Sequence, residues 1–153
     1  MKVYIQTDIS DRYNDEIKII IQTNQVTDKV QQIINLIDKA DNNFKKIIGM
    51  QNNDIFIINI NEIICFYSEN KNNYCKTYKG AFKIKQTLYE LENNLDANDF
   101  IRISNSSIIN INHVAYFNTD ITGTIKVQLK DGSIEYISRR RISKVMKLLK
   151  GEL

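Results

Sequence analysis

Two short stretches hold the residue types whose spacing could do specific chemistry: Arg102-Ile103-Ser104-Asn105-Ser106-Ser107, and Ser138-Arg139. Each sits at the border of an apolar, strand-like run. Asparagine and arginine can each make two hydrogen bonds to one base edge, adenine for Asn and guanine for Arg, with roughly 1–3 kcal/mol of discrimination per good pair. Serine hydroxyls and nearby Lys and Arg can hold phosphates and so fix the register of a duplex. Read alone, however, a polar bend between apolar strands is more often a plain turn.

Other chemistry finds little support. No nucleophile is paired with a base, no metal-ligand set is spaced for binding, and the five glycines never form a phosphate-cradling loop. The sole histidine, His113, lies in an apolar run without a neighbouring acid or nucleophile and reads as structural. Glu90 and Glu92 read as solvated charge on a helix face. A hydrolase using such carboxylates is the weakest reading. No catalytic residue, metal, cofactor or small-molecule substrate is therefore expected.

The two cysteines, Cys65 and Cys75, are too few for a disulfide framework and are expected to be reduced. If the chain folds back near Asn70, they would lie opposite one another on paired strands. No run is long and apolar enough to span a membrane, and residues 1–15 lack the layout of a secretory signal, so a cytoplasmic location is expected. The net charge of +3 is modest but uneven. Seven basic and seven acidic residues cancel over residues 1–48, whereas residues 139–153 carry six basic residues against Glu152 alone. That basic end is either a phosphate-binding surface or a helix C-terminus favoured by cations.

The elements that must position these residues follow from periodicity. Residues 2–7 and 17–22 suit an antiparallel pair, and Val26, Val30, Ile33, Ile34 and Ile37 recur at helical spacing behind a cap at Thr27 or Asp28. From Lys46 the pattern turns to strands, at residues 54–60, 62–67 and 74–78, with an Asn-rich turn at 68–73. Ile84, Leu88, Leu91 and Leu95 share a helix face, with Thr87 and Glu90 spaced as a capping box. Strands are expected again at 100–104, 107–117, 124–129 and 134–138, with Asp131-Gly132 turning the last hairpin. Ile142, Val145 and Leu149 outline a closing helix with its basic residues outward. The fold class is mainly β with minor α: small antiparallel sheets and short helices over residues 49–153, preceded by a ββα extension over 1–48.

From Asp54 onward, the order of these pieces resembles the LytTR family of bacterial DNA-binding domains. The resemblance rests on Ile64-Cys65-Phe66-Tyr67, then Leu88, Leu91 and Leu95, then Phe100-Ile101-Arg102-Ile103, Asn105-Ser106, Ile108-Ile109-Asn110-Ile111, Asp131-Gly132 and Ser138-Arg139. It implies a fold whose loops enter successive major grooves of double-stranded DNA. On matching positions it implies base or backbone contacts by Asn105 and Arg139, with Asn73 a third position. Arg102 either supports the Asn105 loop or touches phosphate. Lys71, Arg140 and Arg141 are phosphate partners by charge, while Phe66, Leu91, Phe100 and Ile109 read as core. Ser104 stands where the family commonly has histidine, Asn105 where arginine is frequent, and Ser68 replaces a common acidic residue, so the operator need not match that of relatives.

The same resemblance implies a stand-alone regulator, because about fifty residues cannot form a phosphoryl-accepting receiver domain. Its implied partners are direct-repeat DNA bound by a homodimer and a membrane-embedded inhibitor protein, with residues 1–48 as the dimerising or docking unit. The competing reading is a protein-interaction module, an anti-regulator of the same fold with weak or no DNA binding, which the small net charge favours.

Overall fold

With no proline and few glycines, asparagine takes part in two of the tight turns. Asn52 and Asn53 (φ 49° and 68°) join β1 (Lys46–Gln51) to β2 (Asp54–Asn59), and Asn70 and Lys71 (φ 49° and 64°) join β3 (Cys65–Glu69) to β4 (Asn72–Thr77). Positive φ at both central residues gives the twist that a two-residue hairpin needs, and asparagine tolerates it better than most side chains. The computed structural model describes residues 19–42 and 44–151.

A seven-stranded sheet runs β2-β1-β5-β4-β3-β7-β6, with β5 at Gly80–Ile84, β6 at Phe100–Arg102 and β7 at Ser107–Asn110. A second sheet of three runs β10-β9-β8, formed by Val114–Thr119 (β8), Ile125–Leu129 (β9) and Ile134–Tyr136 (β10). Among the described residues, three α-helices accompany them: α1 (Asp28–Asn42), α2 (Leu88–Asn94) and α3 (Arg139–Leu149). The mainly β architecture expected from the sequence is present.

The pleat sorts the apolar residues into two cores. Side chains alternate faces along a strand. Phe66, Phe100 and Ile108 therefore join Cys75, Phe82, Leu88 and Leu91 in one cluster, while their neighbours Cys65, Ile101 and Ile109 join Val127, Leu129, Ile137 and Val145 in the other. The first seats α2 on the larger sheet, and the second binds that sheet's other face to β9 and α3. Each such fully buried side chain contributes about 1.5–3 kcal/mol. Phe66, Leu91, Phe100 and Ile109 are all buried, as expected.

Hydrogen bonds enforce the local signals at the helix starts. Thr27 Oγ1 accepts from Val30 N (3.4 Å) at the start of α1. Thr87 and Glu90 form the reciprocal capping box of α2. The Asp131-Gly132 hairpin is present, but only Gly132 has positive φ (89°): Gly132 N donates to Leu129 O (3.0 Å) and Leu129 N to Ser133 O (2.9 Å), a three-residue loop in place of a two-residue turn.

Several expectations are corrected. Ile84 belongs to β5, paired with Asn73, and α2 starts only at Leu88; Phe82 and Ile84 alternate into the same core, and the Ile84-to-Leu88 interval only mimics a helical repeat. Lys46–Gln51 is a strand in its own right. The run 107–117 is broken by a 3-10 turn at Ile111–His113. There the buried Asn110 amide donates to Ile63 O (2.9 Å) and accepts from Asn112 N (3.0 Å), diverting the chain from one sheet to the other. The cysteines are not opposite one another: Cys65 pairs with Lys76 and Cys75 with Phe66, because the Asn70-Lys71 turn fixes a register that sends the two thiols to opposite faces. Residues 2–7 lie outside the described residues, as do residues 17 and 18 of the second expected strand; residues 19–22 are exposed and form no strand.

Candidate nucleic-acid interface

The bend between β6 and β7 is exposed at its tip and anchored at both ends. Ile103, fully buried, fixes the entry, and Ser107, also buried, fixes the exit. Between them Ile103 N and Ser104 N both donate to Ser107 O (3.0 and 3.3 Å), and Ser106 N donates to Ser104 Oγ (3.2 Å). Asn105 and Ser106 are left facing solvent. Arg102 grips the bend from beneath, its Nε donating to Ser104 O (3.0 Å) and a terminal nitrogen to Asn105 O (2.6 Å).

Two backbone bonds gather the other candidates around this bend. Ser138 N donates to Ile103 O (2.8 Å), drawing the start of α3 against it, and Ser68 N donates to Ser106 O (2.9 Å), drawing in the end of the β3–β4 hairpin. Asn105, Arg139 and the hairpin carrying Lys71 and Asn73 are thus neighbours on one edge, although they are far apart in sequence. Within that edge Asn105, Lys71, Arg139 and Arg140 are exposed. Asn73 is half-buried and its amide is engaged internally, accepting from Ser68 Oγ and donating to Gln86 O (3.0 Å).

The position of the arginines resolves one ambiguity. Arg139, Arg140 and Arg141 occupy the first turn of α3, which contains no acidic residue of its own. Cations are disfavoured at a helix N-terminus by the macrodipole. The first turn is therefore a poor place for cations in terms of helix stability and suited to an anion, since the dipole and the exposed guanidinium groups of Arg139 and Arg140 favour negative charge there. The Ser138 hydroxyl makes no capping bond, while its carbonyl accepts from Arg141 N (2.8 Å).

Not every arginine faces outward. Glu92 of α2 accepts from Arg102 (3.1 Å) and Arg141 (2.8 Å), with Lys144 Nζ at 3.7 Å. Burial by itself raises the Glu92 carboxyl, but the bonds and charges of Arg141 and Arg102 outweigh it and hold the group below the usual carboxylate range. From sequence alone Glu92 reads as solvated charge. It is instead the hub joining α2, the Asn105 bend and α3, and only its i,i+3 neighbourhood with Leu95 hinted at an inward aspect. A cavity of about 60 Å³ lies beside it, between Glu92, Phe100, Arg102 and Lys144, far below the several hundred Å³ of a small-molecule site.

A second brace lies behind the edge. Lys76 Nζ meets Asp131 at 2.7 Å, tying β4 to the β9–β10 loop. Burial raises the Asp131 carboxyl, but the bonds from Lys76 and Ser133 outweigh it and lower it to about 2. His113 bonds Asn61 O through Nε2 (2.9 Å) and approaches Tyr78 through Nδ1 (3.5 Å), as a structural bridge.

The LytTr DNA-binding domain family matches residues 53–150, the stretch from β2 to the end of α3. The chain belongs to the LytTR family. An uncharacterized HTH-type transcriptional regulator of Staphylococcus aureus (strain NCTC 8325 / PS 47) is 33% identical over 149 residues, covering 97% of each chain. A regulator of the same description from strain MSSA476 is 36% identical over 131 residues, 86% of this chain and 88% of that protein. Among solved structures, a LytTr DNA-binding domain from Bacillus cereus superposes with a TM-score of 0.67 over 69% of this chain and 97% of its own, at 22% identity, and so shares the fold. The LytTR part of this chain holds no helix-turn-helix: α2 and α3 are separated by the five strands β6 to β10. No receiver domain is evident within the 153 residues. No described helix is long and apolar enough to cross a membrane.

Proposed function

We propose that this LytTR protein is a sequence-specific transcription regulator that reads major-groove base edges of double-stranded DNA with Asn105 and Arg139. The observation that carries this reading is the pair of backbone bonds, Ser138 to Ile103 and Ser68 to Ser106, that draw three separate segments into one exposed edge. Arg140 and Lys71 anchor phosphates at either side. Arg102 and Asn73 act from within, holding the Asn105 bend and the hairpin in shape. Arg141, a phosphate partner by charge, is committed to Glu92. No cofactor takes part, and the protein works in the cytoplasm.

Two copies bind direct repeats as a homodimer, and residues 1–48 dimerise or dock a membrane-embedded inhibitor protein. Sedimentation of the full chain at rising concentration tests the homodimer; a monomer on and off DNA removes it. Selection of fragments from a random duplex pool tests the main reading. Arg139→Ala should weaken binding to the selected site by about 1–3 kcal/mol and relax its base choice, and unchanged affinity and footprint would defeat the assignment.

One observation favours a second reading, a protein-interaction module with little DNA binding. The outer face of the β1–β2 hairpin carries Ile48, Met50, Ile55 and Ile57, the last two 71% and 72% exposed, on an edge strand without Lys or Pro. Such edges readily pair with another chain. Failure to enrich any duplex from the pool would turn the assignment to that module.

A further inference from the structure

Glu92 faces three cations from two elements, yet it belongs to neither the bend nor the basic helix. Its two oxygens are divided: Oε2 takes Arg102, and Oε1 takes Arg141 and Lys144. The side chains of Arg102 and Arg141 are only 14% and 25% exposed, whereas Arg139 and Arg140 are open to solvent. Resting on the DNA-binding reading above, we infer that Glu92 is a specificity-determining positioning residue: it withholds Arg102 and Arg141 from phosphates while locking the Asn105 bend to α3.

The physical basis is a competition for guanidinium groups. Phosphate contacts raise affinity for every sequence alike, because each neutralised phosphate releases counterions whatever the bases are. A basic edge with every arginine free would hold any duplex tightly and read poorly. Tying two arginines to one carboxylate removes up to two such contacts. It also spends their hydrogen bonds on holding the reading residues in register, since Arg102 is bonded at once to Glu92 and to the carbonyls of Ser104 and Asn105. Glu92 therefore trades indiscriminate affinity for discrimination.

The full chain carries the test. Binding is measured against salt on a random-sequence duplex pool, and separately on the duplex that the unmodified protein enriches from it. Glu92→Gln keeps the size of the side chain and releases the arginines. It should steepen the logarithmic salt dependence on the random pool by about 0.9 for each arginine that reaches a phosphate. It should also reduce the ratio of selected to random affinity by ten-fold or more. Adding Arg141→Met to that variant should return the slope toward its starting value, and Glu92→Asp should restore part of the ratio. A merely structural role lowers both affinities together without steepening the slope, and that result overturns the inference. Should the variants fail to fold, side-chain Nε signals in the unmodified protein decide. Addition of the random pool should shift those of Arg139 and Arg140 and leave those of Arg102 and Arg141 in place, whereas equal shifts overturn the inference. If the unmodified protein binds neither duplex, the DNA-binding reading itself falls and this inference with it; binding with an unaltered slope in Glu92→Gln removes the inference alone.

Discussion

Replacing Arg102 by lysine separates the two roles that its position allows. The charge is kept, so the long-range field at the DNA edge is unchanged, but the planar fork is lost. In the structure that fork serves three acceptors at once: Ser104 O at 3.0 Å, Asn105 O at 2.6 Å and Glu92 Oε2 at 3.1 Å. A lysine ammonium on a flexible stem can reach one of these places, and the carboxylate is the strongest. The two carbonyl bonds from Arg102 to the bend are then lost. Bonds from a charged donor are worth about 1.5–3 kcal/mol each, and partial exposure brings the pair to roughly 2 kcal/mol in all. Some of that loss will appear as lower stability, and the rest as the cost of ordering the Asn105 bend on DNA. Affinity for the selected duplex should fall by up to about 30-fold, since 1.4 kcal/mol is ten-fold. The dependence on salt should not change, because no phosphate contact is lost. Fluorescence anisotropy over a salt series reads both quantities. If Arg102 instead grips phosphate, lysine will replace it almost without loss and Arg102→Met will flatten the slope by about 0.9. That pair of results would refute the supporting role.

Asn110→Ala should lower stability by about 2–4 kcal/mol, because it strands the Ile63 carbonyl and the Asn112 amide in or beside the core; urea denaturation followed by tyrosine fluorescence measures it, and a change under 0.5 kcal/mol contradicts the structural role. The Lys76–Asp131 pair should fail in acid. Its carboxyl is lowered from 3.8 to about 2 on folding, so the contribution is whole above about pH 4 and lost as pH falls through 2. The stability difference between the unmodified protein and Asp131→Asn should accordingly shrink over that interval, and a difference independent of pH would exclude the pair as its source. Burial pushes the Cys65 and Cys75 thiols up to about 12 and about 11. Both should resist a thiol reagent at pH 8 in the native protein and react on unfolding, since the thiolate is the reactive form; fast labelling of the folded chain would contradict their burial.

What could be read from the sequence, and what could not, divides along the range of the forces involved. The Thr87–Glu90 cap, the Asp131-Gly132 hairpin and the core positions of Phe66 and Leu91 are set by neighbours within a few residues or by plain hydrophobicity, and they were legible. The boundary of α2 was not, because Ile84 and Leu88 face one core from a strand and a helix at an interval that helical periodicity also produces. The break at Asn110 was hidden for a related reason: an asparagine inside an Ile-rich run looks like a tolerated polar residue until the Ile63 carbonyl, 47 positions away, is seen to need its amide. The site shows the same division. Asn105 and Arg139 stand out as candidates through the order of the family's pieces, since residue type alone leaves the bend a plain turn, and both prove to be exposed. Glu92 does not, since a carboxylate on a short helix looks alike whether it faces water or three cations drawn from 10 to 52 residues further along the chain. Candidate contact residues are written in residue type and in their order along the chain. Those that aim them are written in register, and register is set only when β6, α2 and α3 close on one another.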